Sequence, residues 1–101
     1  MGVFILDMKH VPDRCPMFNE GVRKIFLEKS DKMEEIAGEL DIKVLVNVAV
    51  TIEHNIIMVL EAPSVEAVEN FVMEMEFASF NIVNLRHAQT NEDILEKLSS
   101  G

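Results

Sequence analysis

The stretch Ile42–Ala62, IKVLVNVAVTIEHNIIMVLEA, decides the architecture. It contains two runs rich in β-branched residues, Ile42–Thr51 and Asn55–Ala62, separated by Ile52-Glu53-His54. Valine and isoleucine lose side-chain freedom in a helix and pack well on a pleated surface, so both runs read as strands. A link this short makes them a tight antiparallel hairpin, although the favoured Asn-Gly or Asp-Gly turn is missing.

Upstream, Val3–His10 reads as a strand, ended by the breaker cluster Val11-Pro12-Asp13-Arg14-Cys15-Pro16. From Phe18 to Leu40, apolar residues recur at Val22, Ile25, Phe26, Met33, Ile36, Ala37 and Leu40, the spacing of a helix, with Ser30-Asp31 as a bend. Downstream, Pro63-Ser64 opens a second helix, with Ser64 as N-cap and Val65, Val68, Phe71, Val72 and Met75 as its inward stripe. A last strand covers Phe80–Ala88, and Asn91 caps a short amphipathic helix ending near Leu98. The order is β-α-β-β-α-β plus a terminal helix. Right-handed crossovers put both main helices on one face of a four-stranded antiparallel sheet of order 4-1-3-2. The expected fold is a ferredoxin-like α+β domain, residues 1–101 forming a single unit.

Strand alternation assigns two faces. One carries Phe4, Leu6, Met8, Val44, Val46, Val48, Val50, Ile56, Met58, Leu60, Val83 and Leu85 and seats the helices. The other carries Val3, Ile5, Asp7, Leu45, Asn47, Ala49, Ile57, Val59, Ile82, Asn84 and Arg86. That face is too apolar to be left in water, and no helix remains to cover more than its edge. The expected partner is therefore a second copy of the chain, paired through it.

The net charge of −9 comes from 18 acidic and 9 basic residues, and the bases thin out after Val50. Nothing resembles the basic stripe that nucleic acid requires, and an anionic membrane surface would repel the chain. The longest apolar stretch, Ile42–Ile52, is interrupted by Lys43, Asn47 and Thr51, far short of a membrane span. Val3–Leu6 with Asp7 behind it does not read as a signal peptide, and Leu6 stands where myristoylation needs Ser or Thr. Cys15 is the only cysteine, so no internal disulfide forms, and the expected location is cytoplasmic.

Three stretches together resemble the dimeric α/β-barrel superfamily, in which two ferredoxin-like subunits pack sheet against sheet. They are Phe4–Pro12 (FILDMKHVP), Leu60–Ala67 (LEAPSVEA) and the closing strand Asn81–His87. The nearest likeness is to muconolactone-isomerase-like and related small families. The resemblance implies the fold, the dimer and a ligand cavity between sheet and helices. Relatives of this kind often place Gly, Tyr and Trp around the central hairpin. This chain has no Tyr or Trp and reads Val50-Thr51-Ile52-Glu53-His54-Asn55 there, so no catalytic residue is carried over.

Among candidate residues, His10 ends the first strand beside the proline-rich loop. At the mouth of a cavity it can act as general base or hydrogen-bond donor; as a plain strand-end histidine it only caps a carbonyl. Met8, Phe26, Met33, Met58 and Phe71 are the candidate walls of that cavity, since flexible thioethers and rings either fill such space or open around a guest. Asp7, Asn47, Asn84 and Arg86 are expected to meet on the helix-free face, an Asp7–Arg86 pair fixing register there. No metal is expected: His10-x4-Cys15 is not a standard zinc pair, and His54 and His87 are assigned to the end of the sheet away from His10. No phosphate-binding glycine loop or nucleophile elbow occurs, and no cofactor is expected. Two functions remain. One is a homodimeric module binding a small hydrophobic or aromatic molecule. The other is a cofactor-independent isomerase or monooxygenase of an aromatic or lactone-type substrate, with His10 as acid or base.

Overall fold

The computed structural model describes residues 1–100 and consists of four strands and three α-helices in the order β1 (Gly2–Lys9), α1 (Glu20–Glu39), β2 (Lys43–Val50), β3 (Asn55–Ala62), α2 (Val65–Glu74), β4 (Ile82–Ala88) and α3 (Asn91–Ser100). The strands form one antiparallel sheet of order β2-β3-β1-β4, the expected order read from its other edge and consistent with a ferredoxin-like fold. None of the described helices is long and apolar enough to cross a membrane.

Each helix starts where a short polar side chain answers an orphan backbone donor. Asn19 Oδ1 accepts from Val22 N at 3.0 Å to open α1, and Ser64 Oγ accepts from Ala67 N at 3.2 Å to open α2. α1 runs through Ser30-Asp31 without the expected bend, because both residues sit on exposed or half-exposed positions where they need not leave the helical path. The last helix is capped by Thr90, whose Oγ1 accepts from Asp93 N at 3.1 Å, rather than by Asn91. α3 buries no residue, and its Ile94, Leu95 and Leu98 face water.

The core lies between the sheet and α2. Leu6, Met8, Met58, Leu60, Val68 and Phe71 are fully buried, with Phe4, Ile56, Ala62, Val72, Met75 and Phe77 around them. Side chains in β1 and β3 alternate as expected, buried on the helix side and half-buried on the other.

β2 departs from that alternation. Val44 pairs with Leu60, but Val46 pairs with Val59, so Leu45 is an extra residue and the strand is bulged. Residues opposite one another share a face. From the bulge onward the faces are therefore exchanged: Asn47 opposite Met58 and Ala49 opposite Ile56 point beneath α1, while Val46 and Val48 point to the open face. This corrects the sequence assignment for Val46, Val48, Val50, Asn47 and Ala49. A period-2 pattern cannot reveal one inserted residue, because every side chain beyond it changes sides.

On the open face, Asp7 lies opposite Asn84, and Arg86 lies one step away, opposite Ile5. Arg86 Nη2 donates to Asp7 Oδ2 at 3.0 Å, and their side chains are 61% and 32% exposed in the single chain. Asn47 takes no part in this group.

Candidate functional site

Beneath α1 lies a partly open cavity of about 350 Å³. Its cause is visible in the elements around it. At the positions where the sheet should press against α1, the bulge presents Asn47 and the small Ala49 in place of two valines. α1 answers with Phe26, Ser30 and Met33, which line the space instead of closing it. Met58 and Ile56 form its floor, Phe77 a wall, and the Cys15–Met17 loop its rim. Asn47 Nδ2 reaches Met33 Sδ across it at 3.8 Å, a weak contact.

Of the sequence candidates, His10, Phe26, Met33 and Met58 line this cavity. Met8 and Phe71 are fully buried in the adjoining core. Asn47 joins the cavity, whereas Asp7, Asn84 and Arg86 remain on the opposite face of the sheet.

His54 is also here, which overturns its assignment to the far end of the sheet. β1 and β3 are antiparallel with Lys9 opposite Asn55, so the end of β1 meets the beginning of β3. His10 N donates to His54 O at 3.1 Å, and the two rings stand edge to face with centroids 5.6 Å apart. His87 does lie at the other end, its ring tilted at 45° against that of Phe4 with centroids 5.1 Å apart. With Cys15 on the rim, one ligand atom from each of His10, Cys15 and His54 comes within 4.8 Å of the others. With His54 at this end of the sheet, the three side chains converge.

The polar chemistry of the site is set by Asn81, a buried residue just before β4 that the sequence reading did not single out. Asn81 Nδ2 donates to Phe77 O at 3.0 Å, so its Oδ1 is the end that meets His10 Nδ1, at 2.9 Å. An amide oxygen only accepts, hence Nδ1 carries the proton of a neutral His10 ring and Nε2 carries the lone pair. His10 is 9% exposed, and its Nε2 has no protein partner among the described residues. Nδ1 of His54 and Oδ1 of Asn55 are likewise buried without one. Buried polar atoms are almost always bonded, and each exception costs about 1–3 kcal/mol. The residues that carry these three atoms, His10, His54 and Asn55, are all among those lining the cavity.

The loop carrying Cys15 is held from several sides. A short 3₁₀ turn, Pro12–Arg14, precedes it, and Cys15 N donates back to Pro12 O at 3.1 Å. Cys15 O accepts from Asn19 N at 2.8 Å and Phe18 N at 3.0 Å, and Arg14 Nη2 donates to Ser79 O at 2.8 Å. Arg23 grips the following carbonyls of Pro16 and Met17, both at 2.9 Å. His54 is held by a different device: it is left-handed, with φ 55° and ψ 45°, at the end of the β2–β3 turn. Such a conformation costs a non-glycine residue roughly 1–2 kcal/mol and tends to persist where function requires it.

Comparison of the sequence with protein-family models and with curated proteins finds no match to either.

Proposed function

We propose that this chain binds a small, largely hydrophobic molecule in the cavity beneath α1, with the polar end of that molecule against His10, His54 and Asn55. The observation that carries the reading is the pairing of an apolar hollow with three buried, unpartnered polar atoms on residues that line it. Its volume, about 350 Å³, lies at the lower end of the range for small-molecule sites. Because Asn81 leaves Nε2 of His10 as an acceptor, the guest should bring a donor: a phenolic or enolic hydroxyl, or a carboxylic acid entering as its neutral form.

A second reading is favoured by the same hydrogen bond. A histidine that lines a largely apolar pocket, held by one nitrogen and with the other unpartnered, has the residue type and support of a general base. In that reading the protein is a cofactor-independent isomerase or monooxygenase of an aromatic or lactone-type compound, in keeping with its likeness to dimeric α/β-barrel proteins. That likeness also supports a homodimer through the open face, where Val46, Val48 and Ile82 are exposed beside Ile5, Ile57 and Val59.

Thermal-shift and calorimetric titration with phenols, hydrophobic acids, quinones and aromatic lactones tests the binding. Hits that persist in His10→Ala identify a binding module, and hits turned over only with His10 present identify an enzyme. If no compound of these classes binds, the proposal fails. Sedimentation tests the dimer: a monomer at micromolar concentration refutes it, and Ile57→Lys should dissociate a true dimer by burying an unpaired charge.

A further inference from the structure

We infer that His10, Cys15 and His54 form a zinc site whose fourth coordination position opens into the cavity. The three side chains come from the end of β1, the loop before α1 and the turn before β3, and one atom of each lies within 4.8 Å of the other two. Tetrahedral zinc, with Zn–N near 2.0–2.1 Å and Zn–S near 2.3 Å, sets its ligand atoms about 3.3–3.6 Å apart. A contraction of roughly 1 Å, achieved by small side-chain rotations, would close the set around an ion.

Several independent features fit a metal rather than a chance cluster. His10 and Cys15 are more than nine-tenths buried, at 9% and 5% exposure, and His54 is half-buried. The nitrogens without protein partners, Nε2 of His10 and Nδ1 of His54, are of the kind a metal fills. Asn81 supplies what metal-bound histidines almost always have, an acceptor on the other ring nitrogen that fixes tautomer and orientation. Asn81 is itself fixed by the Phe77 carbonyl, so the support extends a further layer.

The donor set names the metal class. Two imidazoles and a thiolate are too soft for magnesium or calcium, which take oxygen ligands. They suit zinc, for which three protein ligands leave one position for water or substrate. On binding, the Cys15 thiol loses its proton to solvent and the thiolate forms the Zn–S bond. All three ligands line the cavity, so the open position faces the space where a guest's hydroxyl or carboxylate could replace the bound water. The inference rests on that cavity but not on its having an organic occupant.

The full chain, stripped with chelator, can be titrated first with Co2+ and then with Zn2+. One equivalent of Co2+ should produce the intense visible bands of tetrahedral cobalt and a thiolate-to-cobalt charge-transfer band, and Zn2+ should abolish both. Asn81→Ala, which only loosens His10, should weaken binding about 10–100-fold. Cys15→Ser and His54→Gly should weaken it further, glycine being suited to the left-handed turn so that folding is preserved. His87→Ala, at the other end of the sheet, should bind like the parent. Circular dichroism of each metal-free variant checks that a lost band reports a lost ligand. No thiolate band in the parent, or binding that survives Cys15→Ser unchanged and disappears in His87→Ala, overturns the site. The two readings fail separately: cobalt bands without organic hits refute only the guest, and organic hits without cobalt bands refute only the metal.

Discussion

Of the ten residues of α2, Ala67, Val68, Phe71 and Val72 are buried; of the twenty of α1, only Val22 and Ala37 are. Both helices lie on the same face of the same sheet, yet one half is packed solid and the other encloses a hollow. α2 rests where Phe4, Leu6 and Leu60 alternate regularly. α1 rests over a bulged edge strand that turns two valines outward and offers Asn47 and Ala49 instead. The lesson is that covering a sheet does not by itself make a core. Volume must be matched layer by layer, and here the mismatch coincides with the unpartnered polar atoms.

The largest expected effect separates the halves directly. Phe71→Ala should cost about 3–5 kcal/mol in urea unfolding, because a fully buried ring leaves a void in rigid surroundings. Phe26→Ala should cost roughly 1–2 kcal/mol, since Phe26 already borders open space. Equal losses would break the comparison. Added volume should distinguish the halves by sign. Ala67→Leu overpacks the dense side and should destabilise by about 1–3 kcal/mol. Ala49→Leu fills the hollow and should stabilise by about 0.5–2 kcal/mol, while abolishing any guest detected by calorimetry. Destabilisation by Ala49→Leu would show that the cavity closes in solution.

His54→Gly sharpens the comparison at the site itself. Relief of the left-handed strain should raise the melting free energy by about 0.5–1 kcal/mol, against loss of the ring from the cavity wall. A loss of stability would show that His54 is held by structural bonds rather than kept for function. The smallest effect belongs to the open face. A double-mutant cycle on Asp7→Ala and Arg86→Ala should give a coupling of about 0.2–1 kcal/mol for the exposed pair. A coupling of several kcal/mol that grows with protein concentration would mean that a second copy covers it.

Element order, strand order and Ser64 as a helix start were legible along the chain, because each depends on residues a few positions apart: alternation for strands, i/i+3/i+4 spacing for α1 and α2, a capping hydroxyl. His10, Phe26, Met33 and Met58 could be placed beside one cavity on the same grounds, once the topology was assumed. Which way Asn47 points could not be read, since one extra residue at Leu45 leaves the pattern of Val, Asn and Ala unchanged while reversing its faces. Nor could the meeting of His10 with Cys15, His54 and Asn81. Their spacing matches no local motif, and they converge only because antiparallel pairing returns β3 to the end of β1, while the Phe77 carbonyl aims Asn81 from the approach to β4. Sequence alone determined the sheet and what rests on it. The tertiary structure decided where packing fails and which polar residues line that gap, because both depend on register and on contacts between residues as far apart as positions 10 and 81.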